Sequence, residues 1–174
     1  MRTRQDIKGK LPREVACHHT WAMDLSFYTT TDKICQPFLG IIDHGSRKAL
    51  TLQTVINKSS WILLGYLCLA IGRYGKPNKL RTDNEIIFTS FLFKTFLKLV
   101  NIQHQKIPTA SPWCNGRIER LFGTLKPMIK LFEISDKQAL QGWLSQFKTW
   151  YNHYRPHQNL NGKTPDEVWR QRRK

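Results

Sequence analysis

Acidic residues are scarce in this chain of 174 residues: 12 Asp and Glu stand against 28 Lys and Arg, for a net charge of +16 and an isoelectric point near 10.1. So lopsided a charge speaks of the partner, a polyanion such as nucleic acid whose condensed counterions are released on binding. Long apolar runs are also missing. The longest, Trp61 to Ile71, falls well short of the roughly 20 residues that cross a bilayer, so it reads as a buried helix and no membrane partner is expected. The four cysteines, Cys17, Cys35, Cys68 and Cys114, include no pair at zinc-ligand spacing, and Cys17-His18-His19 lacks the second half of a zinc finger. No secretory signal is legible, which makes free thiols in a reducing cytoplasm the expectation, nucleoid-associated if the source is bacterial. Internal repeats and low-complexity stretches are absent. What is present is core: 40% hydrophobic and 11% aromatic residues, rich for a ribosomal or histone-like protein that only neutralises charge.

Residues 1–19 are polar and basic and read as a tail or linker remnant, residues 20–170 as one core domain, and residues 171–174 as a basic tail. Within the domain, Thr20–Thr29, Gln36–Asp43 and Ala49–Val55 read as strands, with Asp43-His44-Gly45-Ser46 supplying a turn; short connections imply an antiparallel meander. Asn57, Ser59 or Ser60 caps a helix over about Trp61–Arg73, ended by Gly75 and Pro77. After that crossover, Leu80–Asp83 is expected to run parallel to its neighbour. Ser90 opens an apolar helix whose Phe91, Phe93 and Phe96 read as core, and Ile102–Ile107 is a fifth strand. One helix follows from Asn115 to about Leu131, interrupted at Pro127. A second runs from Asp136 to about Tyr154, and a short one is opened by Thr164-Pro165. The fold class is α/β, a mixed five-stranded sheet of three antiparallel then parallel strands, flanked by helices.

Three acids stand out. Asp24 lies inside the apolar run Trp21-Ala22-Met23-Asp24-Leu25, where burying an unpaired carboxylate costs several kcal/mol and so demands a partner. Asp83 ends the strand Lys79-Leu80-Arg81-Thr82. Glu119 lies one turn into the helix entered through Ser111-Pro112-Trp113-Cys114-Asn115-Gly116, with Asn115 a candidate N-cap. Alone, Asp83 reads equally well as a turn residue through Asn84, and Glu119 as an ion-pair partner of Arg117 or Arg120. Asp43 also ends a strand, but Gly45 beside it favours a turn role.

Asp24, Asp83 and Glu119, with 35 residues between the last two, resemble the acidic triad of retroviral-integrase-like transposases, of the kind bacterial insertion sequences encode. Tyr151-Asn152-His153-Tyr154-Arg155-Pro156-His157 followed by Thr164-Pro165 resembles their C-terminal signature, and the resemblance runs from about Thr20 to Trp169. It implies a ribonuclease-H-like fold and an enzyme that cleaves DNA strands and transfers a 3′-hydroxyl. The implied cofactors are two Mg²⁺, with Mn²⁺ as a substitute, on Asp24, Asp83 and Glu119. Double-stranded DNA, as element ends and target, is the implied partner, with Asn115, Gly116, Arg117, Arg120 and Lys126 as candidate contacts. Paired-end cutting implies at least a dimer. Related enzymes carry a helix-turn-helix module ahead of the core; about twenty residues precede the first strand here without that pattern, which leaves a separate end-binding helix-turn-helix partner as an expectation. One departure is Glu85, where the family commonly has glycine after the Asp-Asn pair; solvent exposure is the favoured reading, a supporting carboxylate the other. A ribonuclease-H-like nuclease and a domesticated DNA-binding core without catalysis are the alternatives.

Overall fold

The computed structural model describes residues 15–107 and 115–171. The expected tails at residues 1–14 and 172–174, and the loop Ser111–Cys114, lie outside the described residues. Strands β1 (Thr20–Thr29), β2 (Cys35–Asp43) and β3 (Ala49–Thr54) form the expected antiparallel meander. Helix α1 (Ser60–Tyr74) crosses over to β4 (Lys79–Thr82), which runs parallel to β1, and β5 (Gln103–Lys106) runs parallel to β4. Between these strands lie α2 (Ile86–Thr89), a single turn that sequence periodicity does not reveal, and α3 (Phe91–Leu99), capped by Ser90 accepting from the Phe93 amide. Helices α4 (Gly116–Ile129), α5 (Lys137–His153) and α6 (Pro165–Gln171) complete the chain. The sheet order is β3-β2-β1-β4-β5.

The period of two along β1 divides its side chains between two cores. Trp21, Met23 and Leu25 join Leu63, Leu67 and Phe93 from α1 and α3 on one face, while Ala22 meets Ile118, Leu121 and Leu125 of α4 on the other. Asp24 therefore falls on the α4 face. Gly40 of β2 pairs with Asp24, and a Cβ there would come within 2.8 Å of the Phe122 ring. Its bare backbone is what lets α4 lie close to the sheet beside Asp24.

Helix α5 seals the free edge of β3. Asn152 Oδ1 accepts from the Ala49 amide and Nδ2 donates to the Ala49 carbonyl, both at 2.9 Å. Gln141 Oε1 accepts from the Thr54 amide at 2.8 Å. Eleven residues of helix and five of strand each rise about 16 Å, so the two amides meet two points of an edge running the opposite way. Those hydrogen bonds blunt an otherwise open edge. The Tyr151–His157 segment thus does structural work here: Tyr151 is buried with the His157 ring edge-on at 4.9 Å, and the Arg155 guanidinium lies 5.7 Å from the Tyr151 ring.

Several expectations change. Helix α4 runs through Pro127 to Ile129 without a break, because Pro127 is exposed in the last turn while Leu125 and Ile129 stay anchored in the core. Helix α1 is buried on one face only; Leu63, Leu64, Leu67 and Ala70 pack inward, whereas Trp61 is 72% and Leu69 69% exposed. Phe91, expected in the core, is 87% exposed, since the first residue of α3 points away from the stripe holding Phe93 and Leu97. Among the described residues no helix is long and apolar enough to cross a membrane.

Candidate active site

Asp24 is held by two donors on its own side of the sheet. Its Oδ1 accepts from the Leu25 amide at 2.8 Å and its Oδ2 from Asn115 Nδ2 at 3.3 Å. Asn115 occupies the N-cap position of α4, yet its side chain makes no capping bond; only its carbonyl starts the helix, accepting from Ile118 and Glu119. The expected capping role is replaced by a tie to the half-buried Asp24, and Asn115 Oδ1 is buried without a hydrogen-bond partner. Burial chiefly, then the charges of Asp83, Glu85 and Glu119, push the Asp24 carboxyl up to about 7, against the Leu25 bond that lowers it.

Asp83 lies one residue past β4. Its Oδ1 accepts from the Glu85 amide at 3.0 Å, and Asn84 Nδ2 donates to the Ile107 carbonyl at 2.7 Å, pinning the loop to the end of β5. The turn role and the site role thus coexist in Asp83. Glu85 is half-exposed, 3.9 Å from Lys58 Nζ, and its charge acts on Asp24. It is part of the acid cluster's field as well as of the surface.

Glu119 is exposed on α4 and forms no ion pair with Arg117 or Arg120 among the described residues, which removes the simple structural role. Gly123 and Lys126, four and seven positions on, are exposed along the same helix edge. Asp43 is fully buried and accepts from Ser46 N, Ser46 Oγ and His18 N, the turn role expected of it. Asp24, Asp83 and Glu119 all offer oxygen ligands suited to a hard divalent cation, and the charges of Asp83 and Glu119 act on the half-buried Asp24 carboxylate. Among the described residues, however, no three His, Cys, Asp or Glu side chains are gathered closely enough to hold a metal ion. The acids fit Mg²⁺ in kind and in side of the sheet, in an open arrangement.

Beyond the far side of the α4 entry the charge reverses. Arg117 folds back to donate to the His44 carbonyl, which also receives Arg47. Burial first, then Arg47 and Arg81, bring the Arg117 guanidinium down to about 10, offset by Asp43. Burial, then the charges of Arg117, Arg81 and Arg47, hold the His44 imidazole down to about 2. These residues line a cavity of about 810 Å³ together with Gly116, Arg120 and Arg155. Of the expected DNA contacts, Asn115 therefore faces the acids, Gly116, Arg117 and Arg120 the cavity, and Lys126 solvent. Gly40, Arg47 and Arg81 were not singled out by the sequence reading. A glycine inside a strand signals Gly40, and the period of two puts Arg81 on the face of Asp83.

Comparison with known proteins agrees with this architecture. A family described as the integrase core domain matches residues 100–165, which include Glu119 and the Tyr151–His157 segment. A putative integrase of Spiroplasma virus SpV1-C74 is 36% identical over 92 residues, 51% of this chain and 25% of that protein. The Gag-Pro-Pol polyprotein of Simian retrovirus SRV-2 is 24% identical over 134 residues, 77% of this chain and 8% of the polyprotein. The chain thus spans a quarter or less of these curated relatives. The HTLV-2 integrase catalytic core domain in complex with magnesium superposes with a TM-score of 0.72 at 21% identity, covering 90% of this chain and 99% of that one. The simian T-cell lymphotropic virus intasome, in complex with PP2A regulatory subunit B56 gamma, gives 0.78 at 20% identity, covering 92% of this chain and 57% of that one. The fold is that of the ribonuclease-H-like integrase catalytic cores, and residues 100–165 carry the sequence pattern of the integrase core domain.

Proposed function

We propose that this chain is the catalytic core of an integrase-like DNA transposase, of the kind an insertion sequence encodes, cleaving DNA strands and joining a 3′-hydroxyl to target DNA. The observation that carries the reading is Asp24: a carboxylate in a buried strand, penalised by burial and by three further acids, and so in need of a cation. Asp24, Asp83 and Glu119 would hold two Mg²⁺. Bound there, the ions supply charge stabilisation for the attacking and leaving oxygens of an in-line phosphoryl displacement.

The remaining roles belong to the chain itself. The Leu25 amide and Asn115 fix the plane of the Asp24 carboxylate, and Gly40 brings α4 close enough for Asn115 to reach it. Lys126, on the Glu119 edge, meets a phosphate of the DNA end. Assembly into at least a dimer on paired ends, and a separately encoded end-binding module, belong to the same reading.

Labelled branched DNA resembling the joined product is the substrate that demands least of any end-recognition module. Incubated with Mg²⁺ or Mn²⁺, the protein should cut or resolve it, and Asp24→Asn or Asp83→Asn should reduce the rate at least about 100-fold, the several kcal/mol expected of lost transition-state stabilisation. Activity in chelator, or undiminished in either variant, contradicts the proposal. Cutting confined to RNA in a hybrid duplex would instead favour a ribonuclease.

A further inference from the structure

The ends of α1, α5 and α6 enclose a second cleft, of about 560 Å³, beside the turn that leads into β3. Lys48, Arg73, Lys148 and Arg170 line it, and Asp166 is its one carboxylate among the described residues. Asp166 is already taken. Its Oδ1 accepts from Lys48, and its Oδ2 lies 2.7 Å from Arg170 Nε and 3.4 Å from His153 Nδ1. Arg73 and Lys148 have no hydrogen-bond or ion-pair partner among the described residues. Lys148 is nevertheless half-buried, and burial first, then Arg73 and Lys48, bring its ammonium below the usual lysine range. A half-buried cation that faces other cations with no acid to pair with is a cost to the fold that a bound anion removes.

The cations are also held in place. Lys48 Nζ lies 5.3 Å from the Trp169 ring and 5.8 Å from the Tyr74 ring, and the Arg73 guanidinium lies 5.4 Å from the Tyr74 ring. Aromatic faces orient a cation without neutralising it, so its charge stays available to a ligand. The rim is open: Arg73, Thr149, His153 and Arg170 are exposed, which suits the backbone of a polymer better than an enclosed small molecule.

Its place separates the cleft from the acids. The Lys48 carbonyl accepts from the Asp43 amide, level with Trp21, whereas Asp24 lies three residues further along β1 and two strands in from β3. At about 3.3 Å per residue and about 4.8 Å per strand, that is roughly 10 Å in each direction. Tyr74 and Trp169 pack into the core on the sheet face away from α4, and Asp24 is on the α4 face. A phosphate in the cleft is therefore not the reacting phosphate.

We propose that this cleft binds backbone phosphates of double-stranded DNA outside the reacting segment, with Arg73 and Lys148 as the groups that meet them. The identity of the polyanion rests on the DNA reading above, while the call for an anion rests on the cleft's own residues.

The test compares two double variants that each remove two charges: Arg73→Gln with Lys148→Gln in the cleft, and Lys94→Gln with Lys98→Gln, exposed on α3. The cleft pair has no hydrogen bond to lose, so that variant should melt at or above the parent without ligand. Binding of a labelled duplex is measured across a salt series, melts are recorded with inorganic pyrophosphate, and cutting of labelled branched DNA with Mn²⁺ is followed at subsaturating and saturating protein. The cleft variant should bind duplex at least about 10-fold more weakly, with the salt slope reduced by about 2 units. It should also lose a pyrophosphate-induced rise in melting temperature that the α3 variant keeps. Its cutting should recover at saturating protein, because the cleft supplies binding and not chemistry. Affinity and salt slope reduced no more than in the α3 variant overturn the cleft, whether or not the parent cuts DNA. A pyrophosphate response lost in the cleft variant with duplex binding unchanged overturns DNA as the occupant and leaves a small-anion site. Weakened duplex binding in the cleft variant, in a parent that cuts no DNA, supports the cleft and overturns the catalytic reading instead.

Discussion

Two centres of opposite sign adjoin the first turn of α4. Both lie on the same face of the sheet and both are made of like charges, yet the protein treats them differently. The acids are spread around one half-buried carboxylate, and among the described residues only Glu85 has a basic side chain, Lys58, within ion-pair distance. The arginines are tied to backbone carbonyl and ring, Arg47 and Arg117 on the His44 carbonyl and Arg155 on Tyr151. On the reading proposed above, a cation would relieve the repulsion among the acids.

The largest way to break this comparison is through Gly40, which serves both centres by letting α4 approach the sheet. Gly40→Val should force the Phe122 ring aside, cost about 1–3 kcal/mol by overpacking, and lower the melting temperature by several degrees. It should also weaken DNA binding and cleavage together, since Asn115, Glu119, Arg117 and Arg120 all move with α4. Loss of stability with both activities intact would show that the two centres do not depend on this helix position.

Acid separates the centres with opposite signs. The Asp24 carboxyl, raised to about 7, binds its proton more tightly in the fold than unfolded, so in metal-free protein its penalty is present above pH 7 and disappears as pH falls toward 4. His157, brought down to about 4 by burial and Arg155, and His44, brought down to about 2, bind theirs more weakly in the fold, so their contribution is present above pH 6.5 and is lost as pH falls toward those values. Asp24→Asn should therefore melt about 3 °C or more above the parent at pH 8 without metal, on the scale of about 1 kcal/mol, and coincide with it at pH 4. Asn115 can turn its unpartnered Oδ1 toward the new amide, so the substitution keeps its hydrogen bond. Melts that differ equally at both pH values would contradict the electrostatic account of Asp24.

The smallest effect sharpens the DNA side. Lys126→Ala should weaken DNA binding several-fold and flatten the salt dependence by about one unit of slope, with metal response unchanged. An unchanged slope returns Lys126 to the ordinary surface lysines.

The strands, their order and the position of all three acids were legible because apolar alternation, a carboxylate inside an apolar run and turn residues each carry a local signal. The cavity was not, since Arg47, Arg81, Arg155 and the Arg117–Arg120 pair are far apart in sequence and each reads locally as a solvated or helix-surface charge. The path of α4 through Pro127 was misread for a related reason: the core anchors Leu125 and Ile129 outweigh a single missing hydrogen bond in the last turn. In the C-terminal signature, Asn152 reads as a polar residue late in a helix; only the geometry of the β3 edge reveals its partner.

The central claim is that the acids form a cation site, and Glu119→Gln tests it most directly, because Gln keeps the shape and removes one charge and one ligand. Thermal melts of parent and variant, each with and without Mn²⁺, give four numbers. The account predicts that the variant melts at or above the parent without metal, because a repulsive charge near Asp24 is gone, and that Mn²⁺ raises it less, because binding to the folded state is weaker. A variant that melts lower without metal and responds to Mn²⁺ as strongly as the parent would make Glu119 an ordinary surface acid and contradict the account.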